Sequence, residues 1–281
     1  MAMTLWSVAV LAAVMLAALG YVRWSDLRGD YLAEARLEDG PPAVRPQIFS
    51  PDMLDGLPDN VRRYFLASIA PGTLLRTRVA LSMTGTFSLG TREAPKVWSM
   101  TAREVLAAPS QFIWRPQLRA GPFSMAGSDG LLDGRAWTRF WLAPLLPVAR
   151  VKDSPDQRRA AATRALLESI WAPAGLLPQA GAQWRAIDAQ HAEVSITRGG
   201  EQVTAVFAFS DEGFPAAVSA QRWTDANPDR VFRWQPFGAR LANWRDVEGF
   251  AIPTDVVVSN QFGGTEEFPF FSAHVEEAHF F

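Results

Sequence analysis

The sequence predicts a mainly β, α+β protein: a curled antiparallel sheet, a half-barrel of about ten strands with two covering helices, preceded by one N-terminal transmembrane helix. Three observations carry this expectation. An uncharged run, Leu5–Val22, opens the chain and has no counterpart later. Apolar and polar residues then alternate with period two through most of the remainder, between turns rich in Gly, Asn and Pro. Only two stretches of the body space their apolar residues as a helix does.

Helical residues rise ~1.5 Å each, so Leu5–Val22 reaches about 27 Å, close to the hydrocarbon thickness of a bilayer. A cleaved signal peptide is the competing reading, with Ala18-Leu19-Gly20 as a small-x-small site. Met1–Thr4 lacks Lys and Arg, and the apolar run is longer than a usual signal h-region, which favours a retained anchor. Trp6, Tyr21 and Trp24 sit near its ends, as interfacial aromatics do. Arg23 and Arg28 follow the span and none precedes it, which by the positive-inside rule favours a cytoplasmic C-terminal domain. The expected division is residues 1–24 as anchor, 25–55 as a juxtamembrane helix (Asp26–Glu38) with a stiff tether at Pro41-Pro42 and Pro46, and 56–281 as the half-barrel.

Leu57-Pro58 opens the first body helix, with Val61, Tyr64, Phe65 and Ile69 on one face and Pro71-Gly72 as its stop. Strands follow: Val79, Leu81, Met83 and Phe87 alternate with Arg78, Ser82, Thr84 and Ser88; then Trp98–Ala102; then Phe112 and Trp114. Gly127–Gly130 and Asp133-Gly134 read as turns. In Ala136–Leu142 both faces are bulky, which predicts a strand covered on both sides. Ser154-Pro155-Asp156-Gln157 is a capping box opening the second helix, expected to run to Trp171, with Ala162, Leu166 and Ile170 as its stripe and Arg158, Arg159 and Arg164 facing away. A short apolar loop, Ala174–Leu177, follows. The rest is a meander: Ala192–Ile196, a hairpin at Gly199-Gly200, Val203–Phe209, Val218–Trp223, Val231–Trp234, Leu241–Val247, Thr254–Phe262 and Glu267–Val275.

Composition is that of an ordinary globular chain, 48% hydrophobic and 20% charged, and the net charge of −2 gives no field that recruits nucleic acid. The absence of Cys excludes disulfides, thiol nucleophiles, Cys-ligated zinc and lipoprotein acylation. Aromatics are in excess, with 11 Trp and 18 Phe against 3 Tyr.

Chemistry-bearing patterns are sparse. His274 and His279, with Glu276 and Glu277 between them, would fall on opposite faces of a strand, which argues against a metal site. Asp129 and Asp133 read as turn carboxylates that bond their own backbone. No cofactor motif occurs, and none is expected. Arg135 and Arg139 share a strand face, and Arg115 follows Trp114; such arginines either grip an anionic lipid group or face water and stack on Trp rings. Trp98, Trp114, Phe140, Phe207 and Phe209 take inward strand positions, with Trp171, Leu176 and Leu177 on the covering segment. This set either lines an apolar cavity or fills a core.

The segments GLPDNVRRYF (56–65), VALSMTGTF (79–87), PSQFIW (109–114), DGLLDGRAW (129–137), LLESIWAPAGLLP (166–178), WRAID (184–188), FAFSDEGFP (207–215) and GFAIPTDVVV (249–258) resemble an uncharacterised bacterial family, domain of unknown function 6544, with a close relative numbered 6920. A looser, fold-level resemblance is to the periplasmic lipoprotein carrier and receptor (LolA/LolB-like) superfamily, curled sheets that hold acyl chains under helices. The first implies a fold and no reaction. The second implies an extracytoplasmic domain, against the flanking arginines, and this chain departs from the carriers in its anchor.

The expected protein is therefore an inner-membrane, single-pass binding module for a lipid or other apolar ligand, its domain extracytoplasmic and its pocket drawn from Trp98, Trp114, Phe140, Trp171, Leu176, Leu177, Phe207, Phe209 and Arg135. The alternatives are an interaction protein of a membrane complex with a dry core, and an esterase using Ser128, Asp129 and His191.

Overall fold

The computed structural model describes residues 2–40, 47–198 and 201–281. Thirteen antiparallel strands form one sheet: β1 (Arg78–Gly90), β2 (Pro95–Ala107), β3 (Gln111–Ala120), β4 (Phe123–Leu132), β5 (Arg135–Leu142), β6 (Leu146–Val151), β7 (Gln183–Ala186), β8 (His191–Arg198), β9 (Glu201–Phe209), β10 (Pro215–Thr224), β11 (Arg233–Val247), β12 (Phe250–Asn260) and β13 (Phe268–Phe280). Their order is β6-β5-β4-β3-β2-β1-β13-β12-β11-β10-β9-β8-β7. All neighbours are consecutive in the chain except β1 and β13, which pair at the centre. The sheet is not closed; β6 and β7 are its free edges.

The segment joining those two edges holds a 14-residue helix and three tight 3-10 turns, Ser169–Trp171, Pro173–Leu176 and Pro178–Ala180. In chain order the helices are α1 (Ala2–Glu38), α2 (Asp59–Ser68) and this one, α3 (Pro155–Glu168). A connection from edge to edge has to cross one face of the sheet. α3 does so, touching β3, β4 and β5 on one arm and β9 and β10 on the other. In a flat sheet β4 and β10, seven steps apart, would be about 34 Å from each other. A helix about 10–12 Å wide meets both only because the sheet curls around it.

The concave side carries the main core. Leu81, Leu106, Phe112, Leu166, Ile170 and Val256 meet there, and α2 closes one end with Val61, Tyr64 and Phe65. Ser154 caps α3, its Oγ accepting from the Gln157 backbone N–H at 3.1 Å. α-Helical bonding stops at Glu168, and the chain tightens into a 3-10 turn as far as Trp171. The convex side carries α1, whose Ala33 and Leu37 pack on Ala80, Val105 and Ile113. Trp137, Arg139 and Trp141 of β5 face it, so β5 is indeed covered on both sides.

The strand count exceeds the expected ten for identifiable reasons. β6 and β7 are short edge strands and β4 covers residues that read as a turn, which raises the count; Arg233 and Trp234 instead run on without a break into Leu241–Val247 as one strand, β11, which lowers it. Gly127–Gly130 is no turn but the middle of β4. A Cβ at Gly127 would collide with the Arg139 carbonyl, and one at Gly130 with the Trp137 ring, so these glycines permit close strand approach. His274 and His279 lie on the same side of β13, because a bulge inserts an extra residue and turns both Val275 and Phe280 into the core. The expected break between anchor and juxtamembrane helix falls within one continuous helix, α1, of 37 residues. Pro41-Pro42, Pro46 and the Gly199-Gly200 hairpin lie outside the described residues; β8 and β9 pair up to Arg198↔Glu201 beside the latter.

Candidate functional site

Between α3 and the centre of the sheet lies a cavity of about 230 Å³. It exists because the curl brings β1, β3 and β5 to face β10–β12 across a gap that the single helix fills only in part. Its wall is aromatic. Trp114 is 5.9 Å from Phe87, 6.3 Å from Phe140 and 6.0 Å from Phe271 between ring centroids, and Phe237 is 6.1 Å from Phe270. Trp171 forms part of the lining while its Nε1–H donates to the Pro253 carbonyl at 3.0 Å. The Nε1–H of Trp114 is buried and meets no acceptor among the described residues.

One end of the cavity is polar. Arg164 projects inward from α3 and donates to Asp129 at 2.7 Å, Glu104 at 3.0 Å and Glu168 at 2.5 Å. Its guanidinium also lies 4.5 Å from the Phe112 ring centroid. Three carboxylates cannot all ionise cheaply around one cation. Burial, with the charge of Glu168 adding to it, pushes Glu104 well above the usual carboxylate range, and burial raises Glu168 as well. Asp129 is further fixed by the Thr138 hydroxyl at 2.7 Å, which itself accepts from Gln157 at 2.9 Å. The expectation that Arg164 faces away from the core is thus corrected: α3 is enclosed by both arms, and the side opposite its Leu166 stripe is inside too.

Arg222 of β10 is the second cation in the lining. Its Nε donates to the Ala160 carbonyl at 3.3 Å and its guanidinium lies 4.6 Å from the Phe237 ring centroid. No carboxylate of the described residues comes within 4.0 Å of it. Burial lowers its pKa. The cavity thus offers an apolar body and a guanidinium that feels the charges of Asp129, Glu168 and Asp225 but makes no direct ion pair with a described residue.

Of the aromatic and apolar residues singled out in the sequence, Trp114, Phe140 and Trp171 line this cavity. Trp98 is half-buried, paired in register with Phe87 but outside the lining. Phe207 and Phe209 join Tyr64 and Trp184 in a separate packed cluster under α2. Leu176, the end of one 3-10 turn, and Leu177, which links it to the next, are fully buried, the Leu176 carbonyl accepting from Trp184 Nε1 at 2.8 Å. Arg135 is exposed at the start of β5 and, by strand alternation, on the face opposite Phe140. Sequence reasoning missed Arg222, Phe87, Phe237 and Phe270 as lining residues. An Arg within an otherwise strand-like run was the only local signal.

Ser128, Asp129 and His191 are not brought together. Ser128 is buried under α1, donating to Asp30 at 2.7 Å, while Asp129 faces Arg164 on the other side of β4. His191, the first residue of β8, pairs with Asp188 of the preceding turn at 2.9 Å. Arg115 and Arg139 hold Glu34 and Asp30 of α1.

Fold and cavity together define a class: an open, curled antiparallel sheet that wraps a helix and leaves an aromatic-walled space beneath it. Residues 47–273 match the model of a family of unknown function, DUF6544, and the chain belongs to that family. No curated protein matches it. Among solved structures, a LolA superfamily protein from Nitrosomonas europaea is similar at 8% identity, covering 79% of this chain and 92% of its own, with a TM-score of 0.41. A putative outer membrane lipoprotein-sorting protein domain from Vibrio parahaemolyticus is similar at 9% identity, with coverages of 72% and 85% and a TM-score of 0.39. A DUF1329 family protein from Desulfovibrio piger gives 9% identity, coverages of 91% and 93%, and a TM-score of 0.32.

Proposed function

We propose that this protein is a membrane-anchored binding module whose cavity takes the apolar part of a small amphiphile, with an acidic head at Arg222. The observation that carries the reading is the aromatic-walled cavity of about 230 Å³ whose lining holds one guanidinium in no ion pair with a described residue. An apolar cavity of about 150 Å³ suffices to bind benzene. This space accommodates a ring or a stretch of acyl chain, not a whole diacyl lipid. A half-buried cation held only by a carbonyl and a ring face can take a further partner, and a carboxylate or phosphate would supply one with bidentate geometry.

The anchor is α1, long and apolar enough to cross a membrane. We place it in the inner membrane with the domain extracytoplasmic. Arg23 and Arg28, which favour the opposite orientation, are engaged on the rings of Trp141 and Trp24 at 5.5 and 5.4 Å. A C-terminal reporter fusion active only on the cytoplasmic side reverses that placement.

The binding reading is tested by titrating the purified protein with a short brominated fatty acid and following tryptophan fluorescence. Saturable quenching is expected, because Trp114 and Trp171 line the cavity. Quenching that rises linearly without saturation contradicts it.

A further inference from the structure

The carboxylates of α1 meet the sheet in sequence. Asp26 pairs with Arg150 of β6 and Arg139 of β5; Asp30 with Arg139 and with Ser128 of β4; Glu34 with Arg115 of β3 and Arg103 of β2; Glu38 with Arg103. From Asp26 to Glu38 the helix rises about 18 Å. From β6 to β2 is four strand spacings, about 19 Å. The two agree, so α1 runs across the strands rather than along them, and β6 is the strand nearest its apolar half.

Val22, the last residue of the uncharged run, lies about 6 Å along the helix before Asp26. Tyr21 and Trp24, exposed and 5.9 Å apart between ring centroids, mark the level where such aromatics meet headgroups. β6 is therefore level with the end of the span, and its strands lie roughly in the plane of the membrane. Among the described residues β6 pairs only with β5. Three of its six residues are apolar and exposed, Leu146, Val148 and Val151 at 57%, 49% and 44%, and its one charge, Arg150, is held by Asp26. The opposite free edge, β7, presents Gln183 and Arg185 instead. Free edges in water are usually blunted by charge.

Register connects this edge to the cavity. Val151 lies opposite Thr138, Ala149 opposite Phe140 and Leu146 opposite Leu142. Directly paired residues share a face, and Thr138 and Phe140 line the cavity. An apolar surface thus runs from the cavity wall to the edge beside the span.

We propose that β6 is seated on the bilayer that α1 crosses, and that its inner face is the rim over which an apolar ligand passes between membrane and cavity. This rests on reading α1 as a retained span. The chain has no Cys, so single labels are unambiguous. Spin labels at Val14→Cys, Val148→Cys and Val257→Cys are placed in the full-length protein in phosphatidylglycerol-containing vesicles. Their collisions with oxygen and with a water-soluble nickel chelate are then compared. Val14 tests the span; Val257, exposed on β12, is the aqueous control. The expected result is oxygen-dominated relaxation at Val14 and Val148 and nickel-dominated relaxation at Val257. Nickel-dominated relaxation at Val148 with Val14 still in lipid overturns the seating alone. Loss of the lipid signal at Val14 overturns the anchor on which it rests. Protection of Val148 from both reagents overturns it in favour of strand pairing with a second protein chain.

Discussion

Arg164 and Arg222 face the same cavity from opposite elements and differ in one respect: the first forms ion pairs with three carboxylates, the second with none of the described residues. Arg164→Met leaves Glu104, Asp129 and Glu168 buried without their cation, and a loss of about 3–5 kcal/mol in denaturant unfolding is expected. Arg222→Met removes a cation whose direct partners are the Ala160 carbonyl and the Phe237 ring. It should leave the melting temperature nearly unchanged while abolishing saturable quenching by the brominated fatty acid; equal quenching in both proteins would show that the head group is read elsewhere. Glu104 makes a pH prediction. Its pKa in the fold is raised above its unfolded value, so between the two values the folded state holds more protons than the unfolded state. Stability from this group is full at low pH and is lost as pH rises through the raised value. Glu104→Gln should flatten that decline in a series of thermal melts; an unchanged slope assigns the titration to another group.

At the scale of elements, α1 is the feature whose role the sequence concealed most. Its apolar half is legible as an uncharged run, but its polar half is a strap on the convex face. Arg103 lies directly opposite Arg115, and Arg139 opposite Arg150, like charges that repel in bare strand pairs. The α1 carboxylates neutralise both pairs. A chain beginning at residue 45 should accordingly melt well below one beginning at residue 23, and Asp30→Ala should cost the longer one about 1–3 kcal/mol. Equal melting of the two lengths would mean that the strap adds nothing. Period-two alternation exposed most strands because one face of each is buried. It failed at Gly127–Gly130, where glycine serves close packing inside a strand, and at β13, where a bulge shifts the alternation. Local sequence signals the covering helices through Ser154 and the Val61–Tyr64–Phe65 stripe. It does not show that Arg164 reaches Glu104, 60 residues away, since only the curl of the sheet joins them.

For the whole molecule, the order of strands explains the architecture. First and last strands pair at the centre, the edge-to-edge connection crosses the concave face, and the space left beside α3 becomes the cavity. Aromatic richness announced either a core or a cavity, and both are present: Phe207 and Phe209 pack solidly against Tyr64, while Trp114, Phe140 and Trp171 border open space. The central claim is that this space holds a ligand. It is tested most directly by native mass spectrometry of the full-length protein extracted in mild detergent, beside Ala239→Phe, which fills the cavity from β11 without adding charge. The account predicts a bound amphiphile on the natural chain and none on a folded Ala239→Phe variant. The same adducts on both, or none on either, would contradict it.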